Sequence, residues 1–263
     1  MRLDNYLVIN NYFQTRNKAQ IAIKSNRVLV NNVVINKSGY EVKNNDSIEI
    51  KQIDYEFVSR GGYKLLKAIQ EFTLDFNDKI VMDLGASTGG FTDCSLQFGA
   101  KKVYAIDVGT NQLDKSLLNN NKVISLENLN VKDINVNNFN DIDYIVIDVS
   151  FISLTKLITK IDELMINENI NLITLIKPQF ETQNENINKN GVVRNKDVHY
   201  SVIINIIKSF ENNNIYINNL TFSPLKGEKS GNIEYLACFS KNKNTKKEID
   251  IKNIIDKAYN TLL

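Results

Sequence analysis

Residues 81–93, VMDLGASTGGFTD, carry most of the information about the fold of this chain. An apolar run ends in Asp83, a glycine-rich turn follows, and helix-forming residues come next. Glycine lets a backbone approach a ligand closely, and the start of the next helix offers unpaired N–H groups. The stretch therefore predicts a strand–loop–helix unit that binds a nucleotide-like ligand. Alone, it also fits a dehydrogenase or a turn without a ligand, whereas the lack of Gly-Lys-Ser/Thr excludes a Walker loop.

Apolar runs that alternate with helical segments surround this stretch on both sides. The runs read KIVMDLG, KKVYAID, KVISLEN, DYIVIDVS, NLITLIK, IYINNLTF and IEYLACF. Strands separated by helices indicate an α/β fold with a parallel sheet covered on both faces. The last two runs are joined by SPLKGEKSGN, which is too short for a crossover helix, so we expect them to pair antiparallel. This order resembles the class I methyltransferase fold, a Rossmann-like sheet of seven strands with one antiparallel strand, here closed by a C-terminal amphipathic helix.

The first fifty residues differ in charge and pattern from the rest. Residues 1–43 contain seven basic and two acidic side chains, a net charge of +5, whereas the whole chain carries +2. Such a unit can dock on phosphates, although a solvated basic face is an equally good explanation. The pattern of two helices followed by short strands resembles the S-four-type RNA-binding domain. Asn26 and Asn32 replace the usual glycines of that domain, and asparagine tolerates positive φ.

The resemblance to this domain implies an RNA-binding surface and a division of the chain. The basic residues that we expect to contact RNA are Arg2, Arg16, Lys18, Lys24 and Arg27. We expect the RNA-binding domain at residues 1–50, a linker at residues 51–59, and the methyltransferase-like domain at residues 60–263.

Composition limits where the protein works. With 43% hydrophobic and 24% charged residues, the chain is typical of a globular protein. Its two cysteines, Cys94 and Cys238, cannot form a disulfide framework, and no Cys/His cluster has the spacing of a zinc site. No apolar run approaches the roughly 18 residues of a membrane span. We expect a cytoplasmic protein without a metal or a membrane, and the sequence does not indicate an oligomeric state.

Acidic and basic side chains stand at the ends of several predicted strands. Asp107 ends the run after the glycine loop, where a carboxylate can bridge the two ribose hydroxyls of an adenosine. Asp148 and Lys177 also follow strands, and we expect them to converge because the carboxyl ends of parallel strands line the ligand crevice. Lys64 stands in the first turn of a predicted helix, and Glu234 opens the last strand. Each residue alone fits a surface charge or a salt bridge, so only their combination favours a site.

Two lysines at one partly dry site would repel each other, so we expect one ammonium group to give up its proton easily. A general base that acts on an alcohol needs this property near neutral pH. Pro178 restrains the chain directly after Lys177, which holds the lysine in place.

The glycine loop and these strand ends together resemble FtsJ-type methyltransferases. The loop GASTGGF resembles their motif I, and the order Lys64, Asp148, Lys177 and Glu234 matches their Lys-Asp-Lys-Glu tetrad. The resemblance implies S-adenosylmethionine as the cofactor, with an adenine contact from Asn130 or, as the alternative, Asp133. It implies further cofactor contacts from Asp83, Gly85, Ala86, Ser87, Thr88, Gly89, Gly90, Phe91, Asp107 and Asp148.

The full set of motifs resembles the TlyA family, whose members methylate cytidine 2′-hydroxyls of ribosomal RNA and some of which carry a haemolysin label. The set comprises RLDNYL, VSRGGYKL, DLGASTGGFTD, DVSFISL, LIKPQFE, GVVR and SPLKGEKSGNIEYL. The resemblance implies that Lys177 deprotonates or orients the 2′-hydroxyl while Lys64, Asp148 and Glu234 position the reactants. The start at MRLD, without extra basic residues, favours 23S RNA, and 16S RNA stays open.

Two other functions remain open at this point, a non-catalytic ribosome-assembly factor and a membrane-active haemolysin. The intact tetrad opposes the first, and the lack of a spanning segment opposes the second. His199, the only histidine, stands near a predicted helix start, where we expect a surface or capping role.

Overall fold

The structure, a computed structural model, describes residues 1–13, 15–24, 26–43, 45–51, 55–227 and 231–263. The chain divides into two compact units, residues 1–60 and residues 61–263. Residues 52–54 of the expected linker and residues 228–230 of the SPLKGEKSGN connector lie outside the described residues. In the part of the chain that is described, no helix is long and apolar enough to cross a membrane.

The first unit contains two helices and a small antiparallel sheet. Its helices are α1 (Leu3–Ile9) and α2 (Arg16–Lys24), and its strands are β1 (Val28–Val30), β2 (Val33–Val34) and β3 (Ile48–Ile50). β1 lies between β2 and β3. Asn31 and Asn32 form the turn between β1 and β2 with φ of 51° and 65°, and Asn26 has φ of 61°. The left-handed turn geometry expected of these asparagines is therefore present.

The second unit is a seven-stranded sheet with helices on its faces. The strands are β4 (Ile80–Leu84), β5 (Lys102–Ile106), β6 (Val123–Leu126), β7 (Tyr144–Ile147), β8 (Asn171–Ile176), β9 (Tyr216–Phe222) and β10 (Tyr235–Ser240). Their order in the sheet is β6-β5-β4-β7-β8-β10-β9. β10 pairs antiparallel with both β8 and β9, and the other pairs are parallel. The expected mostly parallel sheet with one antiparallel strand is confirmed.

Helices connect the strands of this sheet. They are α3 (Gly61–Phe72), α4 (Gly90–Gln97), α5 (Lys115–Leu118), α6 (Ile158–Leu164), α7 (Pro178–Glu181), α8 (Lys196–Glu211) and α9 (Ile251–Leu262). The strands β7, β8 and β10 are almost wholly buried, as expected for a sheet covered on both faces. α9 buries Ile251, Ile255 and Ala258, which recur at helical spacing, so the expected closing amphipathic helix is present.

The sheet topology brings five chain segments to one edge. The parallel strands β4, β5, β7 and β8 all end at that edge, and β10 begins there because it runs in the opposite direction. Tyr235 pairs with Ile176, so the residue before β10 lies beside the residue after β8. Side chains distant in sequence therefore meet at the carboxyl ends of the parallel strands.

Candidate active site

The glycine-rich loop between β4 and α4 forms one wall of a cleft. Gly85 has φ of +84°, and a Cβ there would approach the Asp148 carbonyl oxygen to 3.0 Å. Gly89 has φ of +92°, and its Cβ would overlap Leu117 Cδ1 at 2.2 Å. Only glycine fits both positions without moving the backbone or its neighbours. The loop therefore holds a tight conformation that leaves room beside it for a ligand.

The cleft has an empty volume of about 200 Å³. The residues that line it are Ala86, Ser87, Ala105, Asp107, Gly109, Gln112, Leu113, Ser125 and Glu127. This volume is smaller than the roughly 300–1,000 Å³ of common ligand pockets. The carboxylate of Asp107 accepts hydrogen bonds from the backbone N–H groups of Ser87 (2.8 Å) and Gly109 (2.7 Å). Each oxygen keeps a further lone pair for a hydroxyl of a ligand.

The expected cofactor residues occupy different positions around this cleft. Ala86, Ser87 and Asp107 line it, and Phe91 is buried in α4. Asn130 is exposed and accepts a hydrogen bond from the Lys132 backbone N–H, so it caps a short 3₁₀ helix. The residues that line the cleft include neither Asn130 nor Asp133, whereas Glu127 and Ser125 lie on the β6 side of it. Neither Glu127 nor Ser125 was predicted from the sequence as a cofactor-binding residue.

Asp83, at the end of β4, is a buried acid with one unsatisfied oxygen. It is fully buried, and Thr92 Oγ1 donates a 2.6 Å hydrogen bond to its Oδ2. Its Oδ1 is also buried and has no hydrogen-bond partner. Burial raises the pKa of Asp83 to about 7, the Thr92 hydrogen bond opposes that rise, and the nearby Asp148 charge adds to it. A cation bound close to Asp83 would favour its ionised form.

Four charged side chains meet where β7 and β8 end and β10 begins. Lys177 Nζ lies 2.6 Å from Asp148 Oδ1. Lys64 Nζ lies 3.5 Å from Asp148 Oδ2 and donates a 2.7 Å hydrogen bond to Glu234 Oε2. The four expected tetrad residues thus form one continuous chain, Glu234–Lys64–Asp148–Lys177. α3 supplies Lys64, whereas the other three follow or precede strands of the sheet.

The four side chains are largely removed from solvent. The exposed fractions of the side chains are 4% for Glu234, 7% for Lys177, 11% for Lys64 and 20% for Asp148. Burial alone would raise the pKa of Asp148, but the ammonium groups of Lys64 and Lys177 outweigh it and lower that pKa. Two carboxylates accompany the two lysines, so they offset the repulsion on which the sequence argument relied. Asp148 is the most exposed of the four.

Two residues close to Asp148 were not found from the sequence. Lys177 Nζ donates a 3.0 Å hydrogen bond to Ser150 Oγ. Phe151 has φ of +65° and is 80% exposed, an unusual state for an aromatic residue. Both lie in the DVSFISL segment, and an aromatic side chain three residues after a strand-end acid was the signal that could have identified Phe151.

His199 has a different role from the one expected. It is fully buried, its Nδ1 lies 2.7 Å from the Tyr235 hydroxyl, and its Nε2 lies 3.1 Å from the Val193 carbonyl oxygen. Burial lowers its pKa. The expected surface or capping role is therefore wrong, because α8 turns this residue inward against the start of β10.

Basic side chains of the first unit converge on one buried acid. Asp4 has no exposed surface and accepts hydrogen bonds from Arg2, Arg16 and Gln20. The Arg2 hydrogen bond is the main cause of a lowered pKa for Asp4. The side chains of Arg2 and Arg16 stay half exposed, so Asp4 presents two guanidinium groups at the surface.

The other expected RNA contacts are more scattered. Lys18 Nζ lies 3.9 Å from Glu56, and Arg27 lies over the Phe13 ring at 5.8 Å from its centroid. Lys24 ends α2. These three residues are not part of the Asp4 cluster.

A cleft walled by a glycine-rich loop, beside a buried lysine–carboxylate cluster on a seven-stranded sheet with one antiparallel strand, is typical of a class I methyltransferase. Comparison with known proteins agrees: the FtsJ-like methyltransferase family matches residues 57–241, and the S4 domain matches residues 1–48. The chain belongs to the FtsJ-like methyltransferase family and carries an S4 domain.

Similar proteins extend over nearly the whole chain. Hemolysin A of Brachyspira hyodysenteriae is 47% identical over 244 residues, which cover 91% of this chain and 99% of that protein. The 23S rRNA (cytidine-2′-O)-methyltransferase TlyA of Campylobacter jejuni is 32% identical and covers 92% of this chain and 100% of its own. A solved structure from Streptococcus thermophilus, named as a candidate hemolysin, is 34% identical with a TM-score of 0.76 and covers 99% and 96% of the two chains.

Proposed function

We propose that this protein transfers a methyl group from S-adenosylmethionine to the ribose 2′-hydroxyl of a cytidine in ribosomal RNA, with 23S RNA favoured and 16S RNA as the second candidate. The observation that carries the proposal is the buried cluster of Lys64, Asp148, Lys177 and Glu234 beside the cleft of the glycine-rich loop. The name of the Campylobacter jejuni relative supports the choice of cytidine and of 23S RNA.

The residues around the cleft suit S-adenosylmethionine. Asp107 offers carboxylate lone pairs for ribose hydroxyls, and Gly85 and Gly89, both at positive φ, give the loop a tight conformation whose backbone can approach a ligand closely. Asp83 has a buried oxygen without a hydrogen-bond partner, which suits the cationic end of the cofactor. When bound, S-adenosylmethionine supplies a methyl group activated by a positively charged sulfur.

Lys177 is the residue that we assign to the hydroxyl. As an ammonium group it donates a hydrogen bond that orients the 2′-oxygen, and as a neutral amine it accepts the hydroxyl proton. Asp148 and Ser150 hold its Nζ from two sides, at 2.6 Å and 3.0 Å. Lys64 and Glu234 fix Asp148 in turn, so the geometry exists before the substrate arrives.

The S4 domain supports the choice of RNA as the substrate. Arg2 and Arg16, oriented by Asp4, present guanidinium groups that suit phosphate oxygens, and Lys18, Lys24 and Arg27 add positive charge. We assign ribosomal RNA or a ribosomal subunit as the partner. A ribosomal substrate places the protein in the cytoplasm.

The test is transfer of labelled methyl from S-adenosylmethionine to unmethylated large and small ribosomal subunits. The labelled nucleoside is identified after digestion. Label on the 2′-oxygen of cytidine supports the proposal, and the labelled subunit distinguishes 23S from 16S RNA. Label on a base would refute the assigned reaction, and cofactor binding without transfer to either subunit would refute the assigned substrate. A protein that binds RNA but no cofactor would instead be an assembly factor.

A further inference from the structure

The segment between β7 and the following 3₁₀ helix (Leu154–Lys156) needs support from outside itself. It carries Asp148 and Ser150, both in contact with Lys177, and then Phe151. Phe151 has φ of +65°, a backbone region that costs an aromatic residue energy. A residue stays in this conformation only where the surrounding structure enforces it. Contacts from another part of the chain must therefore hold the segment in this shape.

Glu181, the last residue of α7, supplies these contacts. Its Oε1 accepts a 2.8 Å hydrogen bond from the Leu154 backbone N–H, and its Oε2 accepts a 2.5 Å hydrogen bond from the Ser153 hydroxyl. One residue earlier, the Phe180 ring lies 5.2 Å from the Phe151 ring. Glu181 is partly buried, and its carboxylate is bound on both oxygens by the same segment.

The position of α7 makes this contact relevant to the tetrad. α7 starts at Pro178, directly after Lys177, and Glu181 ends it. A single helical turn thus joins Lys177 to the Glu181 carboxylate, which binds one end of the segment at Ser153 and Leu154. The same segment reaches Lys177 at its other end through Asp148 and Ser150. The segment after β7 therefore contacts both ends of α7, at Lys177 and at Glu181.

We propose that Glu181 is a positioning residue, which holds residues 149–154 against α7 so that Asp148 and Ser150 stay in contact with Lys177. This inference rests on the proposed function, since it concerns the geometry of the same reaction. Glu181 acts through the segment and does not touch the reacting atoms. Its removal should therefore impair the chemical step more than the binding of either substrate.

The test compares Glu181→Ala, Glu181→Gln and the control Glu185→Ala. Glu185 is an exposed acid in the 3₁₀ helix that follows, four residues away. The alanine variant loses both hydrogen-bond acceptors, so we expect kcat to fall about thirtyfold, whereas glutamine keeps one acceptor and should lose about fivefold. KM for the ribosomal subunit and Kd for S-adenosylmethionine should stay within about twofold of wild type. The control should keep the wild-type kcat.

Ser153→Ala tests the same contact from the other side. Combined with Glu181→Ala, it should lower kcat by less than the product of the two single effects, because the Ser153–Glu181 hydrogen bond is already lost in Glu181→Ala. Hydrogen exchange of the whole protein without substrate gives a readout independent of activity. The Leu154 amide should exchange faster in Glu181→Ala than in wild type or the Glu185 control.

Several results would overturn the inference. A Glu181→Ala protein with a lowered melting temperature but wild-type kcat would show that Glu181 only stabilises the fold. Unchanged exchange at Leu154 would show that the carboxylate does not hold the segment. If the alanine variant does not fold, the glutamine variant carries the same test. An inactive wild type overturns the proposed function and with it this catalytic role, whereas an active wild type with equally active variants overturns the inference alone.

Discussion

Asp83 should make the stability of the protein depend on pH in a way that can be calculated, and Asp83→Asn should remove that dependence. Burial raises the pKa of Asp83 from 3.8 to about 7. Between these values the folded protein keeps a proton that the unfolded chain has lost, so the free energy of unfolding falls as pH rises and then levels off above about 7. The full interval corresponds to about 4 kcal/mol, at 1.36 kcal/mol for each pH unit.

Asparagine removes this dependence because it does not titrate. Its amide keeps an acceptor for Thr92 but places an unpaired N–H group where Oδ1 now lies, a cost of about 1–3 kcal/mol at every pH. Relative to wild type, the variant should therefore gain about 3 kcal/mol between pH 5 and pH 8. Subtraction of the wild-type curve removes the contribution of other groups such as Asp4.

Urea unfolding followed by far-UV circular dichroism at pH 5, 6, 7 and 8 measures this difference. The protein contains no tryptophan, so backbone signals are the better probe. Thr92→Val should raise the upper end of the pH window, because it removes the donor that favours the ionised carboxyl. A difference between Asp83→Asn and wild type that is the same at all four pH values would refute the reasoning.

Three further outcomes follow from the same structure. Glu234→Gln weakens the buried ion pair between Glu234 and Lys64, so urea unfolding should show a loss of about 2 kcal/mol and methyl transfer should fall; an unchanged unfolding midpoint would contradict the buried pairing. Gly89→Ala should strongly weaken cofactor binding in calorimetry, because Gly89 has φ of +92° and an added Cβ would overlap Leu117; unchanged binding would contradict the tight conformation of the loop. Arg16→Ala should weaken RNA binding and reduce the slope of log K against log salt by about 1, and an unchanged slope would remove this residue from the phosphate contacts.

Much of the fold could be predicted because local patterns determine it. Apolar runs separated by helical segments identified the strands, and a connector too short for a helix identified the antiparallel pair, which the structure contains. Asn26 and Asn32 were expected at positive φ because they replace glycines of the S-four-type domain and because asparagine tolerates this conformation, and both adopt it. The convergence of Asp148 and Lys177 followed from the rule that parallel strands end at one edge, and their ion pair agrees with it.

The remaining features depend on contacts between distant residues. The burial of His199 results from Tyr235, 36 residues later, so nothing in its local sequence indicates it. The role of Glu181 depends on Ser153, 28 residues earlier, and only the structure brings the two together. The resemblance to FtsJ-type methyltransferases implied an adenine contact after β6 from Asn130 or Asp133, but it does not determine which side chain faces the cleft. Asn130 caps a 3₁₀ helix and does not line the cleft.

Methyl transfer by wild type, Lys177→Ala and Lys208→Ala, compared on the same unmethylated ribosomal subunits, tests the central claim most directly. Lys208 is an exposed lysine in the last turn of α8 and serves as the matched control. The account predicts ribose 2′-O-methyl label with wild type and with the control, and a loss of at least about a hundredfold with Lys177→Ala despite normal S-adenosylmethionine binding. Equal transfer by Lys177→Ala and wild type would contradict it.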